Sequence, residues 1–137
     1  MTDAQTALNE AVAGEYAAFD AYGVLGPHLT GFARNLAVSA ELAHRDLRDS
    51  LLERLTSPPP PQANYAVPFA VTDYPSAVAL AVHVEEKCAA LWRAVTAASD
   101  ANARQQPLDQ LTNAAQRAAA FRRAGGAIPG TVAFPGM

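Results

Sequence analysis

Cysteine and basic residues are scarce in this sequence, and their scarcity excludes several classes of site. Cys88 is the only cysteine, so the chain can form neither an intrachain disulfide nor a zinc site built from cysteines. Lysine and arginine together number 10 against 13 acidic residues, and the net charge is −3. No basic stripe is visible, and nucleic acid is therefore not expected as a partner.

Long apolar runs are also missing. No run approaches the ~18 residues that a transmembrane helix needs, and residues 1–5 lack the basic start and apolar run of a signal peptide. We therefore expect a soluble, cytoplasmic protein that has no membrane partner. A length of 137 residues suits one domain spanning residues 1–137, and a hydrophobic share of 50% is enough for a self-sufficient core.

Apolar residues recur with helical spacing in four segments, at residues 3–25, 29–55, 73–98 and 107–124. This pattern predicts an all-α, four-helix bundle. The connection at residues 57–75 begins with a proline run and could extend ~60 Å, whereas the preceding helix would be ~39 Å long. The connection can therefore cross over the whole length of the bundle. Residues 125–137 are predicted to form a C-terminal tail that covers part of the surface.

A Glu-x-x-His motif, formed by Glu41 and His44, lies inside the second helical pattern. Residues three apart project from neighbouring turns of one helix face. In some four-helix bundles such a pair supplies ligands to a buried di-metal site, together with single glutamates on other helices. The motif therefore makes Glu41 and His44 candidate metal ligands.

Single glutamates that could complete such a site occur on two other helices. On a helical wheel, Glu15 falls within the apolar stripe of the first helix and Glu85 within that of the third. Glu10 and Glu86 fall outside these stripes and are predicted to be exposed. The candidate metal site consists of Glu15, Glu41, His44 and Glu85.

The fourth helix decides how complete this metal site can be. Carboxylates with an imidazole suit iron, manganese or zinc, but residues 107–124 contain neither glutamate nor histidine. A complete di-iron site is therefore not expected. Two alternatives stay open: a single metal ion, or a hydrogen-bonded remnant without metal that includes Tyr16, Tyr22 and ordered water. In either case a buried carboxylate needs a partner, a proton or a metal.

Several segments taken together resemble the small bacterial ferritin-like proteins of unassigned function. The segments are GEYAA (14–18), YGVLG (22–26), AHR (43–45), YAVPF (65–69), VTD (71–73), EE (85–86) and AFPG (133–136). The resemblance implies a ferritin-like bundle in which Glu15, Glu41, His44 and Glu85 match ligand positions of a degenerate di-iron site. Because the fourth helix departs from that pattern, the resemblance does not imply iron storage or ferroxidase activity.

Two functional hypotheses of different classes follow from the sequence. The first is a non-enzymatic binding or structural module that acts through its surface as a homodimer, with Trp92, Phe121 and the apolar connection as candidate interface residues. The second is a metal-dependent oxidoreductase with a reduced carboxylate and histidine site. The sequence contains no phosphate-binding loop and no nucleophile triad, so no residue is assigned a catalytic role.

Overall fold

The computed structural model describes residues 2–127 and 130–137. Met1, Ile128 and Pro129, which belong to the predicted terminal segments, lie outside the described residues. Four helices are present: α1 (Asp3–Leu25), α2 (Gly31–Arg54), α3 (Tyr74–Ala98) and α4 (Gln105–Ala124). A 3-10 turn, Gly26–His28, joins α1 to α2. No strand occurs in the described ranges, and the all-α prediction is confirmed.

Local sequence signals explain where the helices begin. Thr2 caps α1 by accepting a hydrogen bond from the backbone N–H of Gln5 at 3.1 Å, and the Gln5 side chain accepts from the Thr2 backbone at 2.8 Å. Asp73 and Ser76 form the same reciprocal arrangement at the start of α3. Two predicted boundaries differ from the structure by two residues. The second helix begins at Gly31, because the 3-10 turn and an extended Thr30 precede it, and the fourth begins at Gln105.

The core is formed mainly by small residues, which allow the helices to approach closely. Twelve alanines are buried: Ala11, Ala18, Ala21, Ala33, Ala37, Ala40, Ala77, Ala81, Ala89, Ala114, Ala118 and Ala119. Trp92 and Phe121 are also fully buried, with exposed fractions of 1% and 0%. The prediction that these two residues form an interface is therefore wrong, because neither reaches the surface.

The connection between α2 and α3, residues 55–73, contains neither helix nor strand. Its apolar middle, Ala66 to Pro68, lies over the groove between α1 and α3, beside Ala17 and Leu80. The ring of Phe69 contacts His83 of α3 edge-on, with ring centroids 6.4 Å apart. None of the helices within the described part of the chain is both long and apolar enough to span a membrane.

Candidate functional site

A polar cluster lies at the centre of the bundle, where His44 of α2 stands between two carboxylates. Its Nδ1 contacts Oε2 of Glu15 on α1, and its Nε2 lies 2.8 Å from Oε2 of Glu85 on α3. The side chains of all three residues are at most 1% exposed. The structure therefore brings together three of the four residues that the sequence predicted to form a site.

Three further side chains complete the hydrogen bonding of the two carboxylates. Trp92 Nε1 donates to Glu15 Oε1 at 2.9 Å, and the Tyr22 hydroxyl donates to Glu85 Oε2 at 2.5 Å. Arg117 Nε donates to Glu85 Oε1 at 2.8 Å, so α4 contributes a cation. Every buried side-chain nitrogen and oxygen in the part of the chain that the structure describes has a hydrogen-bond partner.

Alanines next to the cluster residues on each helix make room for this arrangement. Ala81 and Ala89 flank Glu85 four residues away on either side, and both are fully buried. Ala40 occupies the corresponding position one turn before His44. Since side chains four apart are neighbours on one face, the small residues leave space at the bundle centre for the longer polar groups.

The charges of the cluster follow from its geometry. Burial alone would lower the pKa of His44, but the charge of Glu85 and the hydrogen bonds to Glu15 and Glu85 overcome this effect and raise it to about 9. Burial would raise the pKa of Glu85, yet the charge and hydrogen bond of His44, followed by Arg117 and Tyr22, lower it. The cluster therefore pairs the carboxyl groups of Glu15 and Glu85 with the imidazolium of His44 and the guanidinium of Arg117.

The two other ionisable groups of the site keep their protons. Burial raises the pKa of the Tyr22 phenol well above its ordinary value, and the charge of Glu85 raises it further. Burial likewise raises the pKa of the Cys88 thiol, with additional contributions from Glu15 and Glu85. A thiol must lose its proton to act as a nucleophile or a metal ligand, so Cys88 is inert in this environment.

The donor set does not fit a pair of metal ions. Among the residues that the structure describes, two carboxylates reach the cluster, and Arg117 places a fixed positive charge against one of them. The one group with ligand spacing in the described residues consists of Glu15, His44 and Cys88, whose ligand atoms lie within 4.8 Å of one another. A single ion there would have to displace the proton of Cys88 and the hydrogen bond between His44 and Glu15.

Glu41, the fourth predicted ligand, is not part of this cluster. It is half-buried and lines a small surface cavity between α1 and α2, beside Gly23, Pro27 and Arg34. Three residues along a helix correspond to ~300° of rotation, so the side chains of Glu41 and His44 diverge by ~60°. With His44 pointing to the bundle centre, Glu41 is directed toward the rim of α2.

Tyr22 is a candidate partner of the buried acids from the sequence, whereas Arg117 and Trp92 are not. Tyr16, the other tyrosine expected there, lies near Arg48 instead, whose guanidinium carbon is 5.9 Å from the ring centroid. A signal for Arg117 exists: it lies three residues after Ala114 and four before Phe121, both of which are buried on α4. An arginine bordering an apolar stripe can reach across it toward a buried acid. Its side chain remains 22% exposed, and it connects the cluster to the surface between α2 and α4.

Comparisons with known proteins identify relatives that match most of the chain. The sequence model of a protein family described as a domain of unknown function (DUF4439) matches residues 7–137. A crystal structure of a conserved hypothetical protein, rv2844, from Mycobacterium tuberculosis is similar, with a TM-score of 0.84 and 30% sequence identity. The match covers 89% of this chain and 96% of that chain. No curated protein matches the sequence.

Proposed function

We infer from this geometry, in a chain that belongs to the DUF4439 family, that the protein is a non-catalytic helical module acting through its surface as a homodimer. The proposal rests on one observation: the polar groups of the central cluster are already bound to one another. Both ring nitrogens of His44 are engaged by carboxylates, and the phenol of Tyr22 and the thiol of Cys88 keep their protons. No group is left poised to act as a base or nucleophile, so the cluster has a structural role.

The proposal also interprets the cluster as a degenerate di-iron site in a ferritin-like bundle. Glu15, His44 and Glu85 lie on three different helices and point to one centre, which is the arrangement that bundle metal sites require. In this chain the imidazolium of His44 and the guanidinium of Arg117 supply the positive charge that metal ions would otherwise bring. Buried carboxylates are tolerated when cations satisfy them in this way.

Self-association is supported by the outward face of α2. Phe32, Val38 and Leu42 are 71%, 57% and 46% exposed, and they project from the side of α2 opposite His44. Single exposed apolar residues are common on protein surfaces, but several on one helix face mark an interaction surface. A two-fold symmetric dimer would place this face of one chain against the same face of its copy.

Sedimentation velocity of the wild type and of Leu42→Asp tests the dimer. We expect the wild type to sediment as a dimer and Leu42→Asp as a monomer, because a carboxylate in an apolar interface is left unpaired. Leu108→Asp is the matched control, since Leu108 is a similarly exposed leucine, 40% exposed, on α4. A monomeric wild type at micromolar concentration, or an equal effect of both substitutions, would contradict the proposal.

The alternative function, a metal-dependent oxidoreductase with a reduced site, is favoured by the spacing of Glu15, His44 and Cys88. Elemental analysis for iron, manganese and zinc, on protein purified without chelator, distinguishes the two functions. We expect well under one equivalent of metal per chain. One equivalent that is lost in His44→Ala would instead support the oxidoreductase, because the imidazole is the only nitrogen ligand in the cluster.

A further inference from the structure

The C-terminal segment, residues 130–137, is attached to the bundle at both ends. Near its end, Gly136 adopts a positive φ of 75°, and its backbone N–H donates to Glu86 Oε2 at 2.8 Å. A Cβ atom at Gly136 would lie 2.6 Å from the backbone nitrogen of Ala90, so only glycine fits. The adjacent carbonyl of Pro135 accepts a hydrogen bond from Arg93. These contacts fix the segment on α3.

At its other end the segment contacts α4. Gly130 is buried, and a Cβ atom there would lie 2.7 Å from the carbonyl oxygen of Ala119. Residues 131–134 between the two attachments are exposed, and Phe134 is 73% exposed. The middle of the segment therefore stands away from the bundle while its ends are held.

A cavity of about 500 Å³ lies between the C-terminal segment and α4. Its walls are mostly apolar, with Leu111, Ala115 and Ala119 on the helix and Val132 and Phe134 on the segment. Small-molecule sites in proteins have volumes of roughly 300–1,000 Å³, mostly apolar walls and a few polar groups. The cavity has the size and the lining of such a site.

The charged side chains of this cavity all have the same sign. Arg93, Arg122 and Arg123 line it, and no acidic residue does so among the residues that the structure describes. Arg122 forms an ion pair with Glu86, which lies behind it at 2.6 Å, and Arg93 is bound to the C-terminal segment. Arg123 has neither an ion pair nor a hydrogen bond from its side chain to any described residue. An uncompensated cation therefore faces an apolar cavity.

We propose that this cavity binds a small amphiphile with one apolar chain and an anionic head, a long-chain carboxylate, whose head pairs with Arg123. The apolar walls suit the chain, and the guanidinium is a preferred partner of a carboxylate because its donors match the two oxygens. A small phosphate compound would leave the apolar walls unfilled. The site goes beyond the proposed dimer, since it lies on α4 and the C-terminal segment whereas the dimer face lies on α2.

Isothermal titration calorimetry tests this site with laurate, used below its micelle concentration, and with lauryl alcohol, used below its solubility limit. We expect the wild type to bind one laurate per chain and to bind the alcohol about tenfold more weakly, since a charge-assisted hydrogen bond distinguishes the two probes. Arg123→Gln should weaken laurate binding to the level of the alcohol and leave alcohol binding unchanged. Arg45→Gln, which removes an exposed arginine of α2, is the matched control and should bind as the wild type does.

Filling the cavity provides a second, independent readout. Ala115→Phe should abolish binding of both probes, and Thr112→Trp should do the same from an exposed position that does not disturb the core. Circular dichroism and the unfolding transition verify that each variant is folded. The proposal is overturned if the wild type binds no laurate, if Arg123→Gln binds it as tightly as the wild type, or if the filled variants still bind it. If the wild type bound no laurate and Arg123→Gln sedimented differently from the wild type, the cavity would instead belong to an interface between copies of the chain.

Discussion

Two adjacent glutamates of α3 belong to different environments, although each is paired with an arginine of α4. Glu85 points inward, is fully buried and binds Arg117 at 2.8 Å. Glu86 points toward the C-terminal segment, is 24% exposed and binds Arg122 at 2.6 Å. The distances are similar, but the surroundings are not. Glu85 also accepts hydrogen bonds from His44 and Tyr22, whereas the other partner of Glu86 is a backbone N–H of the C-terminal segment.

The difference shows how charge balance separates a structural cluster from a binding surface. Inside the bundle two anions meet two cations and no charge is left over, as burial demands. At the surface Glu86 forms an ion pair with Arg122, and the guanidinium of Arg123, which lines the neighbouring cavity, has no ion-pair partner among the described residues. A charge that water can solvate costs little to leave unpaired, and it is therefore available to a ligand.

Removal of the His44 imidazole should destabilise the central cluster more than any other change proposed below. In His44→Ala two buried carboxylates lose their shared partner and a cavity opens, so we expect the free energy of unfolding to fall by about 3–5 kcal/mol. Urea unfolding monitored by circular dichroism measures the change. His83→Ala is the control, because His83 is exposed on α3 and contacts Phe69 edge-on, and it should change stability by about 1 kcal/mol or less. Equal effects of the two substitutions would refute the structural role of the cluster.

Raising the pH should reduce the stability that the central cluster gives the wild-type protein. The pKa of His44 is about 9 in the fold against an ordinary 6.5, so its contribution is complete below pH 6.5 and is lost as the pH rises through about 9. The whole shift corresponds to about 3 kcal/mol. Glu85, whose pKa is lowered from 4.5, acts in the opposite sense, and its contribution is lost on acidification.

Urea unfolding at a series of pH values checks this dependence. His83→Ala, which leaves His44 and its partners in place, should retain the loss of stability between pH 6.5 and 9. A free energy of unfolding that stays constant across this interval in the wild type would show that the imidazolium does not stabilise the fold.

Paired substitutions of the two α4 arginines compare the inner and outer ion pairs directly. Arg117→Met leaves the buried Glu85 without its guanidinium, and we expect a loss of about 2–3 kcal/mol. Arg122→Met affects the partly solvated Glu86 and should cost less than about 1 kcal/mol. Both substitutions keep a long apolar stem, so packing changes little. If chemical unfolding gave the two variants the same stability, the contrast between the two glutamates would be wrong.

The smallest effect is expected where Gly136 attaches the C-terminal segment to α3. In Gly136→Ala the new methyl group collides with the backbone of α3 and the positive φ is strained, so the segment should detach at a cost of about 1 kcal/mol. Hydrogen exchange of the backbone amide of residue 136, or tryptic cleavage after Arg123, detects the release. Gly23→Ala is the control, since nothing lies within 4 Å of its Cβ position, and it should stabilise α1 slightly. Equal protection of the residue 136 amide in the wild type and in Gly136→Ala would contradict the attachment.

The fold could be predicted because its signals are local. The apolar period of 3.6 residues identifies all four helices, and the capping residue Thr2 locates the start of α1. The boundary of α4 was less accessible, since Arg104 has a helical conformation and no capping side chain. Pro107 is tolerated in the first turn of that helix, and its position does not show which residue begins the turn.

For the site, the sequence predicts which side chains point into the bundle, but not which of them contact one another. A helical wheel separates Glu15 from Glu10 and Glu85 from Glu86, and the structure buries the first member of each pair while Glu86 is half-buried. The helical wheel does not show how far a side chain reaches, nor at which point along their axes two helices meet. The buried Glu15 therefore could not be matched with Trp92 from the sequence, nor Glu85 with Arg117, since these contacts depend on tertiary packing.

The connection at residues 55–73 divides the chain into two helix pairs, α1 with α2 and α3 with α4. Each pair carries one anion and one cation of the central cluster, Glu15 with His44 in the first and Glu85 with Arg117 in the second. The bond from His44 to Glu85 joins the two pairs. If the chain were expressed as two separate polypeptides, each would expose polar groups that only the other can cover. Neither fragment would then fold alone, so each would become folded only when the other is present.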